Sequence, residues 1–224
     1  MSSVRVMFGI PFTPFTSHFT VNNAGYVLGT ERIGQISSDD MEGMFNTNVF
    51  GLINITQAFI NGTSPRPRAG DLNAHTILGM KTRNTGHVIN IGSVAGREPY
   101  AGGSIYCATK YAVRAFTGAL LRELVETQIR VTEIQPGMVE TEFSIVRFRG
   151  DKDAADKLYQ GFTPRMFSII PVVSKIAKFY PVTAGDVAEE IVWAASRPPH
   201  VNIAEVFILP TNQATPWLVH KDEK

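Results

Sequence analysis

Cysteine is almost absent from this chain of 224 residues. The single cysteine, Cys107, excludes a disulfide within the chain and is typical of proteins that work in a reducing compartment, so we expect a cytoplasmic protein. The five scattered histidines do not join it in any spacing typical of a metal site. We therefore expect no bound metal.

An excess of charge of either sign is also missing. The sequence contains 21 lysine and arginine residues against 20 aspartate and glutamate residues. The two basic stretches, PRPR at 65–68 and RFRGDK at 147–152, are too short and too mixed to form a nucleic-acid-binding surface. We predict that nucleic acid is not a partner.

Long apolar runs are lacking as well. The most apolar stretch, 166–182, contains Pro171 and two lysines, which makes it too interrupted to cross a bilayer. Prolines and threonines break up residues 1–19, where a signal peptide would need a continuous apolar core. We therefore predict no membrane partner. A content of 44% hydrophobic and 18% charged residues is typical of one globular domain, here 1–224, with a sizeable core.

Helices and strands alternate along the rest of the sequence. Short apolar runs that end in polar turns predict strands at 18–25, 87–93, 129–137 and 204–210. Longer segments with helical periodicity predict helices at 37–59, 104–127 and 183–196. Such alternation predicts an α/β fold, with a parallel sheet covered by helices on both faces.

Polar residues collect where the predicted strands end. NNAG at 22–25 follows the first strand, Ser93 follows the second, and PGMVET at 136–141 follows the third. Ligands of parallel α/β sheets bind beyond the carboxyl ends of the strands. Tyr106 and Lys110 lie one helical turn apart on the helix after the second strand, so their side chains share a face. This clustering predicts a functional site.

Five of these segments resemble the short-chain dehydrogenase/reductase family in order and spacing. They are NNAG at 22–25, Asn48 in NTNVFG, Ser93 in INIGSVAG, YCATK at 106–110 and PGMVETEF at 136–143. Stretches at 146–160, 197–203 and 209–216 resemble the branch that oxidises serine, allo-threonine and other 3-hydroxy acids with NADP. The resemblance implies a Rossmann-like doubly wound sheet, NADP as cofactor and a small hydroxy acid as substrate.

The resemblance assigns catalytic roles to four residues. Tyr106 would be the base that takes the hydroxyl proton, and Ser93 would bind the substrate oxygen. A free phenol, with a pKa of ~10, is a weak base at neutral pH. We therefore expect the ammonium of Lys110 to lower the pKa of Tyr106 while also binding the nicotinamide ribose. Asn48 would hold a water that relays protons from Lys110.

The resemblance also assigns a cofactor-binding surface. Besides Tyr106 and Lys110, its members would be Asn23, Gly25, Pro136, Gly137, Val139 and Thr141. Each residue has an ordinary alternative when it is taken alone: a turn residue, a cap or a helix tyrosine in contact with solvent. Arg147 and Arg149 could bind a substrate carboxylate. A solvated pair on a loop is the interpretation we favour for them.

The sequence departs from the family before position 22. No glycine-rich turn of the T-G-x-x-x-G-x-G kind is present, and three βα units would need roughly 80–90 residues. We therefore expect a truncated sheet without the family's first three strands. The segments 1–20, 60–76 and 162–181 do not match the family, the last two as inserted loops. We hypothesise that all three are translated non-coding sequence.

Truncation would have functional consequences. The strand near 19–22 would become an exposed edge, and NADP would lose the turn that holds its pyrophosphate. We therefore expect little dehydrogenase activity. The alternative function is a non-catalytic subunit that cannot bind the dinucleotide properly. With the complete domain restored, we expect a homo-oligomer that pairs through helices 38–60 and 104–127.

Overall fold

A four-stranded parallel sheet forms the centre of the protein. The computed structural model describes residues 19–62, 79–159 and 180–220. The strands are β1 Phe19–Asn22, β2 Gly86–Ile91, β3 Ile129–Pro136, β4 Val139–Glu140, β5 Val182–Thr183 and β6 Glu205–Ile208. The sheet order is β1-β2-β3-β6, and β4 pairs with β5 in a separate parallel ribbon. The non-matching residues 1–18, 63–76 and 162–179 lie outside the described residues.

Seven α-helices connect these strands within the described ranges. They are α1 Ser38–Phe45, α2 Leu52–Asn61, α3 Met80–Arg83, α4 Ser104–Glu123, α5 Phe143–Arg147, α6 Lys152–Leu158 and α7 Ala184–Ala195. The predicted α/β fold with a parallel sheet is confirmed. The predicted helix at 37–59 is not uniform, because a wider π-helical turn, Asn46–Gly51, joins α1 to α2.

Helices cover the two faces of the sheet from opposite sides. Val131 on β3 packs in one apolar cluster with Leu120 and Leu124 of the α4 region. Its neighbour Arg130 points the other way and donates to the carbonyls of Ala194 and Ala195, at the end of α7. Successive side chains of a strand face opposite sides, so α4 and α7 lie on different faces. The sheet is therefore doubly wound, as predicted.

The described part of the sheet has β1 at one edge. β1 pairs with β2 in register from Phe19 with His87 to Asn22 with Asn90, and the side chain of Phe19 is 49% exposed. The amide of Asn22 crosses to β2 and donates to Asn90 Oδ1 at 2.8 Å. Asn90 in turn donates to the hydroxyl of Thr117 on α4 at 2.9 Å. These buried bonds fix the strands that end at the site.

The fold should lose stability in mild acid because of His87. Its side chain is 3% exposed, its Nε2 lies 2.7 Å from Thr132 Oγ1, and burial, with the nearby charge of Arg130, lowers its pKa from 6.5 to about 3. Between these values the unfolded chain binds a proton that the folded chain does not. We therefore expect the free energy of unfolding to fall by about 2 kcal/mol from pH 7 to pH 5.

Urea denaturation at the two pH values measures this loss. His87→Gln should remove most of the difference, whereas His200→Gln, a substitution of an exposed histidine, should retain it. An equal pH dependence in wild type and His87→Gln would contradict the prediction.

Candidate active site

Tyr106 and Lys110 meet in the first two turns of α4. Each is 7% exposed, and Lys110 Nζ lies 5.8 Å from the centroid of the Tyr106 ring. The ammonium donates to the carbonyl of Ile91 at 2.8 Å, at the carboxyl end of β2. The structure therefore brings both side chains to the edge of the sheet where the parallel strands end.

Ser93 joins this pair from the turn after β2. It is 8% exposed and caps the short 3₁₀ turn Val94–Gly96 by accepting from Ala95 N at 3.1 Å. Its hydroxyl also lies close enough to the Tyr106 phenol to lower the pKa of that phenol. A serine hydroxyl and a phenol that face the same space can both bind one substrate oxygen.

The electrostatics of this pair differ from the expectation. Burial raises the pKa of Tyr106 well above its ordinary value, and the nearby hydroxyl of Ser93 opposes that rise only in part. Desolvation of the phenol thus outweighs the predicted decrease, and the ammonium of Lys110 donates to the carbonyl of Ile91. Burial lowers the pKa of Lys110 to about 8, against the opposing charge of Glu133. Lys110 therefore stays mostly protonated at neutral pH.

Asn48 lies in the π-helical turn and is 1% exposed. Its amide accepts from Tyr26 N at 2.9 Å, donates to Tyr26 O at 2.8 Å and donates to Thr109 Oγ1 at 3.1 Å. Single π turns often mark functional positions. Here the π-helical turn places the side chain of Asn48 so that its hydrogen bonds connect the loop after β1 to α4. The relay of protons through a water held by Asn48 stays a prediction.

Removing this amide should destabilise the protein. In Asn48→Ala the part-buried backbone groups of Tyr26 and the buried hydroxyl of Thr109 lose partners, which we expect to cost about 2–3 kcal/mol. Asn46→Ala, an exposed position in the same turn, is the matched control and should change stability by less than about 0.5 kcal/mol. Urea denaturation measures both. Equal stability of the two variants would contradict the proposal that the hydrogen bonds of Asn48 stabilise the fold by connecting this loop to α4.

Of the two predicted cofactor residues after β1, Gly25 lies beside Asn48 and Lys110. Asn23 is exposed and is the first residue after β1. A Cβ added to Gly25 would lie 3.2 Å from Asn48 Oδ1 and 3.8 Å from Lys110 Nζ. The chain at Gly25 therefore approaches the site more closely than a larger residue would readily allow.

The other predicted cofactor residues follow β3. Pro136 is the last residue of the strand, and the amide of Gly137 donates to Ile208 O at 2.7 Å. Val139 lies in β4, where its carbonyl accepts from Tyr159 Oη at 2.8 Å. Thr141 is exposed, and its hydroxyl accepts from Phe143 N at 3.2 Å. These four residues lie along the segment that leaves the same edge of the sheet.

Sequence reasoning missed Glu133. This residue lies in the middle of β3, is 2% exposed, and its Oε1 has no hydrogen-bond partner among the described residues. Burial raises its pKa, while the charges of Arg114 and Lys110 lower it. The absence of a side chain at Gly92 leaves room for the carboxyl, because a Cβ there would lie 2.1 Å from Oε1. A carboxylate inside an apolar strand was the available signal.

A cluster of metal ligands and a membrane-spanning helix are both missing from the described ranges. No group of three or more histidine, cysteine, aspartate or glutamate side chains there is arranged to hold a metal ion. None of the helices in the part of the chain that the structure describes is both long and apolar enough to cross a bilayer.

The fold and the site define a class of protein. The family model described as short chain dehydrogenase matches residues 18–151, and the chain belongs to that family. The NADP-dependent 3-hydroxy acid dehydrogenase of Schizosaccharomyces pombe is 38% identical over 193 residues, 86% of this chain and 61% of the relative. The enzyme of the same name from Escherichia coli K12 is 40% identical over 203 residues, 90% and 68% respectively. This chain thus spans about two thirds of the length of these relatives.

Solved structures of related proteins also resemble this chain in sequence and in fold. A serine dehydrogenase described as the closed form complexed with NADP+ is 40% identical and superimposes with a TM-score of 0.71, covering 92% of this chain and 70% of the other. The serine dehydrogenase from Escherichia coli is 33% identical, with a TM-score of 0.61 and coverages of 88% and 65%. The similarity therefore extends over nearly all of this chain and over about two thirds of those proteins.

The described residues suit one half of a dinucleotide. Among the described residues, the buried ammonium of Lys110 donates only to the carbonyl of Ile91. The backbone at Gly25 passes close to this ammonium. A donor in such a narrow space suits a ribose hydroxyl beside the nicotinamide ring. The phosphates need backbone N–H groups at a glycine-rich helix start. No helix in the described ranges follows a turn with three glycines. The fit is therefore to the nicotinamide side of NADP.

Proposed function

We propose that this protein is an NADP-dependent oxidoreductase that oxidises the hydroxyl of a short 3-hydroxy acid such as serine or allo-threonine. The observation that carries the proposal is the meeting of Ser93, Tyr106 and Lys110 at the carboxyl edge of the sheet. The names of the relatives, 3-hydroxy acid dehydrogenase and serine dehydrogenase, support the substrate class.

Ser93 and Tyr106 would have separate roles when the substrate hydroxyl loses its proton. Ser93 donates a hydrogen bond to the substrate oxygen, and Tyr106 takes the hydroxyl proton as general base. NADP, when bound, supplies the acceptor for the hydride. Because burial raises the pKa of Tyr106, oxidation should become faster as the pH rises, and the protonated phenol suits the reverse reduction of a ketone.

Lys110 and the loops beside it would hold the nicotinamide ribose. The ammonium, still mostly protonated at neutral pH, can donate to ribose hydroxyls from its place beside Ile91 O. Asn23, Gly25 and the residues Pro136, Gly137, Val139 and Thr141 would line the nicotinamide and its ribose. Neither of these assignments involves the cofactor phosphates.

A non-catalytic subunit is the second candidate. It is favoured by the lack of a three-glycine turn before any described helix. Under either candidate, the helices expected to pair in an oligomer carry exposed apolar side chains. Those side chains are Phe50 at 54%, Ile55 at 37% and Tyr111 at 39% exposure. A homo-oligomer would cover these side chains. The cytoplasmic location and the lack of a nucleic-acid partner stay predictions.

Two measurements separate the candidates. Titration of the purified protein with NADPH, followed by the coenzyme's fluorescence, gives the affinity. Reduction of NADP at saturating concentration, with serine or 3-hydroxypropanoate, gives the activity. Binding together with turnover supports the oxidoreductase. Failure to bind NADPH at millimolar concentration, in a protein whose circular dichroism shows a folded chain, would leave the non-catalytic subunit.

A further inference from the structure

The guanidinium of Arg147 on α5 is held in place, yet its hydrogen-bonding groups are poorly used. Its Cζ lies 5.1 Å from the centroid of the Tyr100 ring. It donates to Tyr100 Oη at 3.2 Å and to Gly102 O at 3.4 Å, both long for an N–H···O bond. Its Nε is buried and has no hydrogen-bond partner among the described residues.

Arg147 forms no ion pair among the described residues. The ion pairs there join Arg97 to Glu205, and Arg149 to Glu31 and Asp40. The charge of Arg147 contributes to the pKa shifts of Tyr100, Tyr106, Cys107 and Tyr159. Burial raises the pKa of all four, so they are neutral at neutral pH. A half-buried cation without an anion costs stability, which is typical of functional positions.

Arg147 lies close to Tyr106. Phe143, one helical turn before Arg147 on α5, packs against Tyr106 with 5.6 Å between ring centroids. The carbonyl of Arg147 accepts from Gly29 N at 2.9 Å. Gly29, Gly102 and Tyr106 all line one small pocket. Arg147 therefore forms hydrogen bonds to two of the residues that line the pocket beside the proposed base.

We propose that Arg147 binds the carboxylate of the substrate and so selects hydroxy acids over neutral alcohols. A guanidinium matches a carboxylate with two parallel N–H donors. In a 3-hydroxy acid a single carbon separates the carbinol from the carboxylate, so the carboxylate must bind close to Tyr106. This inference rests on the proposed function. The expectation of a solvated arginine pair is thereby corrected for Arg147. It still describes Arg149, which is 46% exposed and forms an ion pair with Glu31.

Arg147→Met tests the role by comparing two substrates of the same shape. We expect kcat/KM for 3-hydroxypropanoate to fall about 30- to 100-fold, mostly through KM, while that for 3-hydroxypropanamide changes less than about threefold. Arg149→Met is the matched control, because it removes a charge already paired with Glu31 and Asp40. It should keep the wild-type preference for the acid. NADPH affinity should be unchanged in both variants.

Three outcomes would overturn the role of Arg147. An equal loss with acid and amide would show that Arg147 only supports the structure of the pocket. A loss of NADPH affinity greater than about tenfold would assign the guanidinium to a cofactor phosphate. A wild type that oxidises the acid and an Arg147→Met variant that does so equally well would refute the inference but keep the proposed function.

A binding measurement covers the case in which the wild type does not turn over. Saturation-transfer NMR with 3-hydroxypropanoate in the presence of NADPH should show binding to the wild type and to Arg149→Met, and none to Arg147→Met. This binding pattern without turnover would support the binding of the carboxylate by Arg147 and would refute the proposed oxidoreductase activity. Absence of binding to the wild type would overturn the inference.

Discussion

Replacing Tyr106 with phenylalanine should lower kcat for 3-hydroxypropanoate by about 10³- to 10⁴-fold at saturating NADP, because Tyr106 is the proposed general base. The substitution removes one buried oxygen and keeps the ring that packs edge-on against Phe143. The hydroxyl of Ser93 still accepts from Ala95 N. The fold should therefore stay intact, and the loss should be confined to the chemical step.

The measurement is the initial rate of NADPH formation in wild type and variant. NADPH affinity should change less than about threefold, since a phenyl ring retains most of the contact area of a phenol. Tyr111→Phe, a substitution on the exposed side of the same helix, is the matched control and should keep the wild-type rate. Undiminished oxidation by Tyr106→Phe would refute the assignment of the base.

The pairing of Tyr106 with Lys110 could be predicted because it depends on local geometry. Residues four apart on a helix share a face whatever the rest of the chain does. The strand ends could be predicted for a similar reason, since the apolar run at 87–93 and the polar turn after it are contiguous in sequence. Both features needed only the period of the helix and the topology of a parallel sheet.

The charge states at the site could not be predicted, because they depend on burial and on partners distant in sequence. The ammonium of Lys110 is bound by a carbonyl 19 residues away, and its charge partner Glu133 comes from another strand. Neither contact leaves a periodic signal. The expectation that Lys110 lowers the pKa of Tyr106 considered one neighbour and omitted the desolvation of both groups, which dominates.

Arg147, on α5, and Arg149, in the turn after α5, also differ in a way that the sequence does not predict. From sequence, Arg147 and Arg149 are equivalent basic residues two positions apart. The structure separates them because Arg149 adopts a positive φ of 55° and reaches Asp40 at 2.8 Å across the surface, whereas Arg147 turns inward over Tyr100. A partner 109 residues away decides which of the two remains available for a ligand.

Lys110→Met should lower kcat/KM by about 100-fold or more, since the site loses its buried cation and a donor to the cofactor ribose. Methionine has a similar length and no charge, so the space beside Gly25 stays filled. The initial rate and the NADPH affinity should both fall, unlike in Tyr106→Phe, where only the rate falls. A variant with wild-type affinity and rate would refute the role of Lys110 in binding the ribose.

The same substitution should stabilise the protein at pH 7 by about 1–2 kcal/mol. Burial lowers the pKa of Lys110 from 10.5 to about 8, so keeping it charged at pH 7 costs about 3 kcal/mol, offset in part by the hydrogen bond to Ile91 O. Between pH 8 and 10.5 the unfolded chain holds a proton that the folded chain has released. Wild-type stability therefore gains from this group as the pH rises, and the advantage of Lys110→Met disappears.

Urea denaturation at pH 7 and pH 10 measures this difference, with exposed Lys157→Met as the control that should follow the wild type at both values. The proposed site needs a buried donor for the nicotinamide ribose in place before the cofactor binds, and the stability cost of Lys110 is the expected consequence. If Lys110→Met were less stable than the wild type at pH 7, the ammonium would be a structural element of the sheet edge, and its position beside Tyr106 would need another explanation.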